Sequence, residues 1–318
     1  MRAAVLTAPR VCEIRTVETP APERDQVLIR VEGCGVCGSN LPRWEGRPWF
    51  KYPTEPGSPG HEGWGRVVAV GYGVTGVDVG QRVAFLSDHA FAEYDVASAS
   101  SLVSLPSRLD GAAVPGEPLG CIMNIWRRAM ITPGHTVAII GLGFLGAMLT
   151  QLASRSGARV IAISQRAFSR DLARSMGARE QIDLNMTDEE IVKRVDLATD
   201  GAGCDVVIEV VGLQRPLDLA ARLCRVRGRL VIAGFHQDGP RHVDLFLWNW
   251  RGLDVINAHE REQAAYVSGM AAAIDALVSG RIEPDPLYTH RVPLDLASEA
   301  FDALGTRPDG FVKALVHP

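Results

Sequence analysis

Most of the residues able to do chemistry fall in a few short stretches. The first is GCGVCGSNLPRWEG at residues 33–46, where Cys34 and Cys37 stand in a C-x-x-C spacing. That spacing suits a zinc knuckle or a redox dithiol, but no second C-x-x-C completes a knuckle and nothing redox-like surrounds the pair. Downstream lie Gly60-His61-Glu62-Gly63 and Glu117-Pro118-Leu119-Gly120. Taken singly, His61 equally suits a core histidine, and Glu117 the first turn of a helix.

The glycine-rich stretch Gly141-Leu142-Gly143-Phe144-Leu145-Gly146 says more, because of its neighbours. A strand-like run, HTVAIIG, leads into it and a helix-like run follows. In that context Gly141 permits a tight turn, Gly143 lets the backbone approach a pyrophosphate, and Gly146 lets helix and strand pack closely. The helix N-terminus, with Phe144 and Leu145 in its first turn, would face the phosphates. A dinucleotide is therefore expected here.

The end of the next strand bears on which dinucleotide. NAD enzymes place Asp or Glu there to accept from the ribose hydroxyls. This chain has Ile163-Ser164-Gln165-Arg166, with Arg170 close behind. Ser164 with Arg166 and Arg170 favours the 2′-phosphate of NADP(H). The arginines also suit ordinary solvated positions on a helix.

These residues need a scaffold, and the pattern supplies two. Up to about residue 115 the chain is a series of short β-branched runs (AAVLT, VCEIRTVE, QVLIRVEG, GRVVAVG, QRVAFL) broken by Gly, Pro and Asp. Strand and helix patterns then alternate: ARVIAIS, SRDLARSMGA, CDVVIEVVG, LDLAARLCRVRG, RLVIAGF. Such alternation predicts a doubly wound parallel sheet. Thr187-x-x-Glu190 is a capping box for one further helix. The tail adds a helix, a short strand, a helix and a last strand. The expected division is a β-rich domain over 1–117, a dinucleotide-binding domain over 118–267, and a return to the first domain over 268–318.

Bulk composition excludes several classes. At 318 residues, 47% apolar and 22% charged, the chain is an ordinary globular protein with room for two domains. A net charge of −4 offers nothing to nucleic acid. The six cysteines are too scattered for a disulfide framework, and MRAAVLTAPRVCEIR lacks the apolar core of a signal peptide. A cytoplasmic, reduced protein is the expectation. Residues 129–154 carry no Asp, Glu, Lys or Arg, yet Thr132-Pro133-Gly134 and the glycine loop make them strand-turn-helix rather than a membrane span.

Several motifs, in order, now carry a resemblance: GVCGSN at 35–40, GHEGWGRVVAVG at 60–71, GVDVGQRV at 76–83, EPLG at 117–120, the GLGFLG loop and DGFVKALV at 309–316. The chain resembles the zinc-dependent medium-chain dehydrogenase/reductase family over nearly its whole length. The resemblance implies an α/β architecture, a GroES-like β-rich catalytic domain plus a doubly wound Rossmann cofactor domain. It implies one catalytic zinc held by Cys37, His61 and Glu117, with Glu62 an occasional ligand or a carboxylate behind them. Such a Cys/His/carboxylate set with one open position is that of a catalytic zinc. Ser39 would pass the alcohol proton toward the cofactor ribose, and Lys313 would stand near the pyrophosphate. The activity implied is hydride transfer between NADP(H) and a secondary alcohol, polyol or sugar-derived alcohol or ketone, in a homodimer or homotetramer.

The chain departs from the family in four places. Residues 84–107 contain no cysteine, so the lobe for a structural zinc is missing. Asn40 replaces the Asp that orients the zinc-bound histidine, and Pro42 stands where relatives often continue a proton relay. The runs Trp248-Asn249-Trp250-Arg251 and Asn257-Ala258-His259-Glu260-Arg261 have no counterpart in the family pattern. Trp44, Trp49 and Phe50 suit either a substrate pocket or a packed loop. Two other readings stay open: a zinc-free NADPH-dependent carbonyl or enone reductase, and a non-catalytic dinucleotide-binding protein.

Overall fold

A computed structural model describes all of residues 1–318. Two compact units divide the chain, one from 1–120, 262–280 and 284–318, the other from 121–261 and 281–283. The crossings fall at residue 120 rather than 117, and at 261 rather than 267. No helix is long and apolar enough to cross a membrane.

The first unit is β-rich. Its strands are β1 (Arg2–Ala8), β2 (Val11–Thr16), β3 (Gln26–Gly35), β4 (Glu62–Val70), β5 (Arg82–Phe85), β6 (Tyr94–Ser98) and β7 (Leu102–Ser104). A short helix, α1 (Leu41–Glu45), sits between β3 and β4, and α2 (Gly116–Ala129) carries the chain into the second unit.

That second unit alternates as the sequence suggests: β8 (Thr136–Ile140), α3 (Phe144–Arg155), β9 (Arg159–Ser164), α4 (Ala167–Ser175), β10 (Glu180–Asp183), α5 (Asp188–Ala198), β11 (Cys204–Glu209), α6 (Gln214–Leu223), β12 (Cys224–Ile232), α7 (Leu245–Arg251) and β13 (Asp254–Asn257). The tail, α8 (Gln263–Val278), β14 (His290–Pro293), α9 (Ala297–Thr306) and β15 (Ala314–His317), returns to the first unit.

The second unit's sheet runs β10-β9-β8-β11-β12-β13, entirely parallel. Its central strands are buried on both faces, which is why they read as unbroken apolar runs. The chain steps outward from β8 to β10, then returns to place β11 beside β8. The topological switch point therefore lies between β8 and β11.

Two strands of this sheet, β10 (EQID) and β13 (DVIN), are too short and polar to show in the sequence pattern. Another expectation is corrected: LDLAARLCRVRG is not one helix. It turns to strand at Cys224, which pairs with Cys204 in β11, so sheet pairing overrides helix propensity there. The Thr187 capping box is present, the hydroxyl accepting from the Glu190 N–H.

In the first unit's mixed sheet, β15, β3 and β4 are neighbours. Leu315 pairs with Gly35 and Val316 with Cys34, while Gly35 also pairs with Glu62 and Cys34 with Gly63. That register brings residues from three distant parts of the chain to the same end of three neighbouring strands.

Candidate active site

Cys37 lies two residues beyond the end of β3, and His61 immediately precedes β4. Because Gly35 and Glu62 are paired, the two must meet. The thiol of Cys37, a ring nitrogen of His61 and a carboxylate oxygen of Glu62 all lie within 4.8 Å of one another. Cys34 is fully buried in the core and its thiol is pushed well up by burial, then by the Glu62 charge. The C-x-x-C therefore holds one ligand-type thiol and one packing thiol.

Cys37 caps a turn of 3-10 helix, Gly38–Asn40, whose last residue is buried. The Asn40 Oδ1 accepts the Cys37 N–H at 2.9 Å, and its Nδ2 donates to the Pro59 carbonyl at 3.1 Å. That carbonyl also lies 3.0 Å from His61 Nδ1. The Pro59 carbonyl thus meets His61 Nδ1 at the shorter distance, with Asn40 Nδ2 at 3.5 Å, and turns Nε2 toward the cluster. Asn40 serves by holding Pro59 and Cys37 in place, and an Asp could not donate to Pro59. Ser39 Oγ lies 3.5 Å from His61 Nε2, adjacent to the ligand atoms. Pro42 is buried in the first turn of α1, where a missing N–H costs nothing.

Glu62 is completely buried, and Lys313 is its partner at 2.6 Å. Lys313 immediately precedes β15, so the β15-β3-β4 register delivers its ammonium to Glu62. Gly35 makes the room: a Cβ there would lie 1.9 Å from Glu62 Oε2 and 3.1 Å from Lys313 Cε. The expected pyrophosphate contact is corrected accordingly. Lys313 is a buried ammonium holding a buried carboxylate, because a charge with no partner at this depth is costly. Sequence spacing gave no sign of the pair, since 251 residues separate its members.

Electrostatics favour a cation in the cluster. Burial by itself would lower the pKa of His61. The Cys37 thiol by hydrogen bond and charge, then the Glu117 and Glu62 carboxylates, outweigh that and raise it to about 10. Burial likewise opposes the Lys313 charge, and Glu62, Cys37 and Glu117 keep it ionised. Glu117, in the first turn of α2, acts on both residues through its charge, and the tight group of potential ligand atoms is Cys37, His61 and Glu62. A thiol, an imidazole and carboxylates, gathered within reach of one another, are a donor set that fits zinc.

The other expected site residues lie in the second unit. Gly141 has φ +100, and a Cβ there would lie 2.7 Å from Val211 Cγ2. At Gly146 a Cβ would lie 1.9 Å from the Gly141 carbonyl, so close helix–strand packing demands glycine. At Gly143 the φ is −79 and a Cβ would meet nothing within 4 Å. Neither strain nor packing requires glycine there, and the open space suits a ligand passing along the backbone. No side chain caps α3, so the N–H groups of its first turn, at Phe144, Leu145 and Gly146, present a positive helix end to that space.

Ser164 ends β9, nearly buried, and its hydroxyl accepts the Arg166 N–H at 3.4 Å. Arg166 is half-buried at the start of α4. The placement of Arg170 differs from the expectation. Its guanidinium donates to the Ser164 and Gln165 carbonyls at 2.8 and 3.0 Å and pairs with Asp183 at 3.2 Å. It braces the end of β9, because α4 directs it back onto the strand, and Asp183 in β10 faces it.

Of the two readings left open for Trp44, the structure shows the packed one. The side chain is buried, stacked on Phe301 at 5.2 Å, with Nε1 bonded to Asp302. Trp49 is exposed, and Phe50 lies under the Arg43 guanidinium. The unassigned run 257–261 ends β13, where His259 and Arg261 both pack on Phe235, at 4.8 and 5.6 Å. The Nε2 of His259 is buried with no hydrogen-bond partner.

Comparison with known proteins agrees with both halves. Residues 23–107 match the alcohol dehydrogenase GroES-like domain, and residues 145–275 match the zinc-binding dehydrogenase domain. D-arabitol-phosphate dehydrogenase of Enterococcus avium is 30% identical, over 95% of this chain and 94% of its own. Sorbitol dehydrogenase of Gallus gallus is also 30% identical, over 92% and 90%. A Sinorhizobium meliloti 1021 protein, crystallised with NADP and described as a zinc-binding dehydrogenase, superposes with a TM-score of 0.85. It is 28% identical and covers 100% of this chain and 99% of its own.

Proposed function

The chain belongs to the zinc-binding, medium-chain alcohol dehydrogenase family, and within it we propose a single-zinc, NADP(H)-using oxidoreductase of secondary alcohols, polyols or sugar-derived ketones. One observation carries this reading: the Cys37–His61–Glu62 cluster, in surroundings negative enough to raise His61 to about 10. Those residues, with Glu117, would hold the metal. Bound there, zinc would supply Lewis acidity toward an alcohol or carbonyl oxygen, and the nicotinamide would exchange the hydride.

The chain's own residues do the rest. The Pro59 carbonyl orients the His61 ring, and Lys313 neutralises Glu62 while leaving the thiol and imidazole directed into the cluster. Ser39, 3.5 Å from His61 Nε2, would take the alcohol proton. The glycine loop and the N-terminus of α3 would hold the pyrophosphate. Ser164, with Arg166, favours a 2′-phosphate over a second carboxylate-bound ribose hydroxyl.

A neutral substrate is favoured over a phosphorylated one. Arg43 bonds to Ser58 and pairs with Asp88, and Arg47 pairs with Glu45, so two cations after the cysteine loop already have partners. The test is metal analysis of the purified protein with a turnover screen over polyols, amino alcohols and sugar derivatives, using both cofactors. One zinc per chain and faster turnover with NADP(H) are expected. Faster turnover with NAD would overturn the reading of Ser164 and Arg166. Normal turnover by Cys37→Ala would overturn the metal mechanism.

A further inference from the structure

A second buried ionic cluster lies in the dinucleotide-binding unit, at the C-terminal ends of its strands. Glu209 is the last residue of β11 and its side chain is wholly buried. Its Oε1 accepts the N–H groups of Val211 and Gly212, both at 2.6 Å. Its Oε2 lies 3.1 Å from His236 Nε2, in the loop after β12. The other ring nitrogen, Nδ1, accepts Arg241 Nε–H at 2.9 Å. With Nδ1 accepting, the proton must sit on Nε2, so His236 is neutral and donates to Glu209. Arg241 closes the ring by donating to the Gly212 carbonyl at 2.8 Å, and it also pairs with Asp238.

Three contacts of this relay, to the Val211 and Gly212 N–H groups and to the Gly212 carbonyl, fix loop backbone at the mouth of the sheet. Gly212 has φ +82, and a Cβ there would lie 2.5 Å from the Phe235 carbonyl. A Cβ at Gly234 would lie 2.3 Å from the Gly212 nitrogen. The loops after β11 and β12 thus touch backbone to backbone, with Glu209 tying them together. On one side Val211 reaches the Gly141 turn. On the other, His259 and Arg261, just beyond the end of β13, pack on Phe235. Glu209, His236 and Arg241 set the shape of one continuous rim across β11, β12 and β13.

Topology says what that rim faces. Ligands of such sheets lie across the C-terminal strand ends at the switch point, here between β8 and β11. The glycine loop after β8 takes the pyrophosphate and the end of β9 takes the adenosine side. The remaining half, the nicotinamide ribose and ring, must lie on the β11–β13 side. Resting on the cofactor reading above, we propose that Glu209, His236 and Arg241 are positioning residues for the nicotinamide half of the dinucleotide, acting through the backbone of 210–212 and 233–236. The family-atypical run at 257–261 belongs to the same rim.

Direct binding tests this without relying on turnover. NADPH and 2′-phospho-ADP, which lacks both the nicotinamide and its ribose, are titrated by calorimetry into wild type, Glu209→Gln and Arg241→Ala. NADH and ADP serve as the matching pair if wild type prefers NAD. Glu209→Gln is expected to weaken the whole cofactor by about tenfold while changing the fragment by less than about twofold. Arg241→Ala, nearer the surface, should show the same selectivity with a smaller loss, and it guards against misfolding of the buried variant. If both probes weaken alike, or neither weakens, the relay is only structural and the inference is overturned. Wild-type protein that binds neither NADPH nor NADH overturns the cofactor reading itself, and this inference with it.

Discussion

In the first unit the candidate site is built from side chains, whereas in the second it is built mainly from backbone. Cys37, His61, Glu62 and Lys313 meet because three strands pair in one register, and each contributes a functional side chain. Around the glycine loop the chain contributes a turn, a helix end and empty space. The difference teaches that charge must be balanced locally in the first site and shape conserved in the second. Substitutions should therefore fail in different ways in the two places.

The sharpest contrast is Cys37→Ala. Lewis-acid stabilisation is worth several kcal/mol, so loss of the thiolate ligand should lower turnover by on the order of a thousandfold. Dinucleotide affinity should hardly change. Metal content, turnover and cofactor titration on one preparation check this, and a parallel loss of cofactor binding would dissolve the distinction between the units.

Next is Lys313→Met, which strands the Glu62 carboxylate and should cost about 3–5 kcal/mol in urea unfolding. Adding Glu62→Gln should restore most of that stability, since the second change removes the orphaned charge. A double variant no more stable than the single one would show that Lys313 acts other than through Glu62.

Asn40→Asp probes whether the amide is merely a weaker carboxylate. It keeps the acceptor for the Cys37 N–H but sets a carboxylate against the Pro59 carbonyl. A loss of about 1–3 kcal/mol is expected. A gain in zinc affinity with unchanged thermal stability would refute the role assigned to Nδ2.

The backbone side is tested by paired glycines. Gly146→Ala pushes a methyl into the Gly141 carbonyl and should destabilise by about 1–3 kcal/mol. Gly143→Ala meets no protein atom, so stability should stay within about 0.5 kcal/mol while NADPH affinity falls about tenfold. Unaltered NADPH binding by the Gly143 variant would leave its open space without a ligand.

Much of this was legible in the sequence. The βα alternation, the glycine loop and the Thr187 capping box depend on local spacing, and the structure contains each of them. The cysteine, histidine and glutamate were legible as types and order. The partners of Lys313 and Arg170, the packing of Trp44 and the Glu209 relay were not. Glu209 offered one hint, as a charge ending the apolar run CDVVI, but its side-chain partner His236 lies 27 residues away.

The sequence by itself determined the two architectures and the chemistry the donor residues could support, because hydrophobic period, turn residues and functional-group types are local properties. Strand register decided the rest. It made Lys313 the counter-ion of Glu62 and brought the loops after β11 and β12 together at Glu209. Buried charges must be balanced by whatever the fold brings within hydrogen-bond distance, and that distance is set in space rather than along the chain.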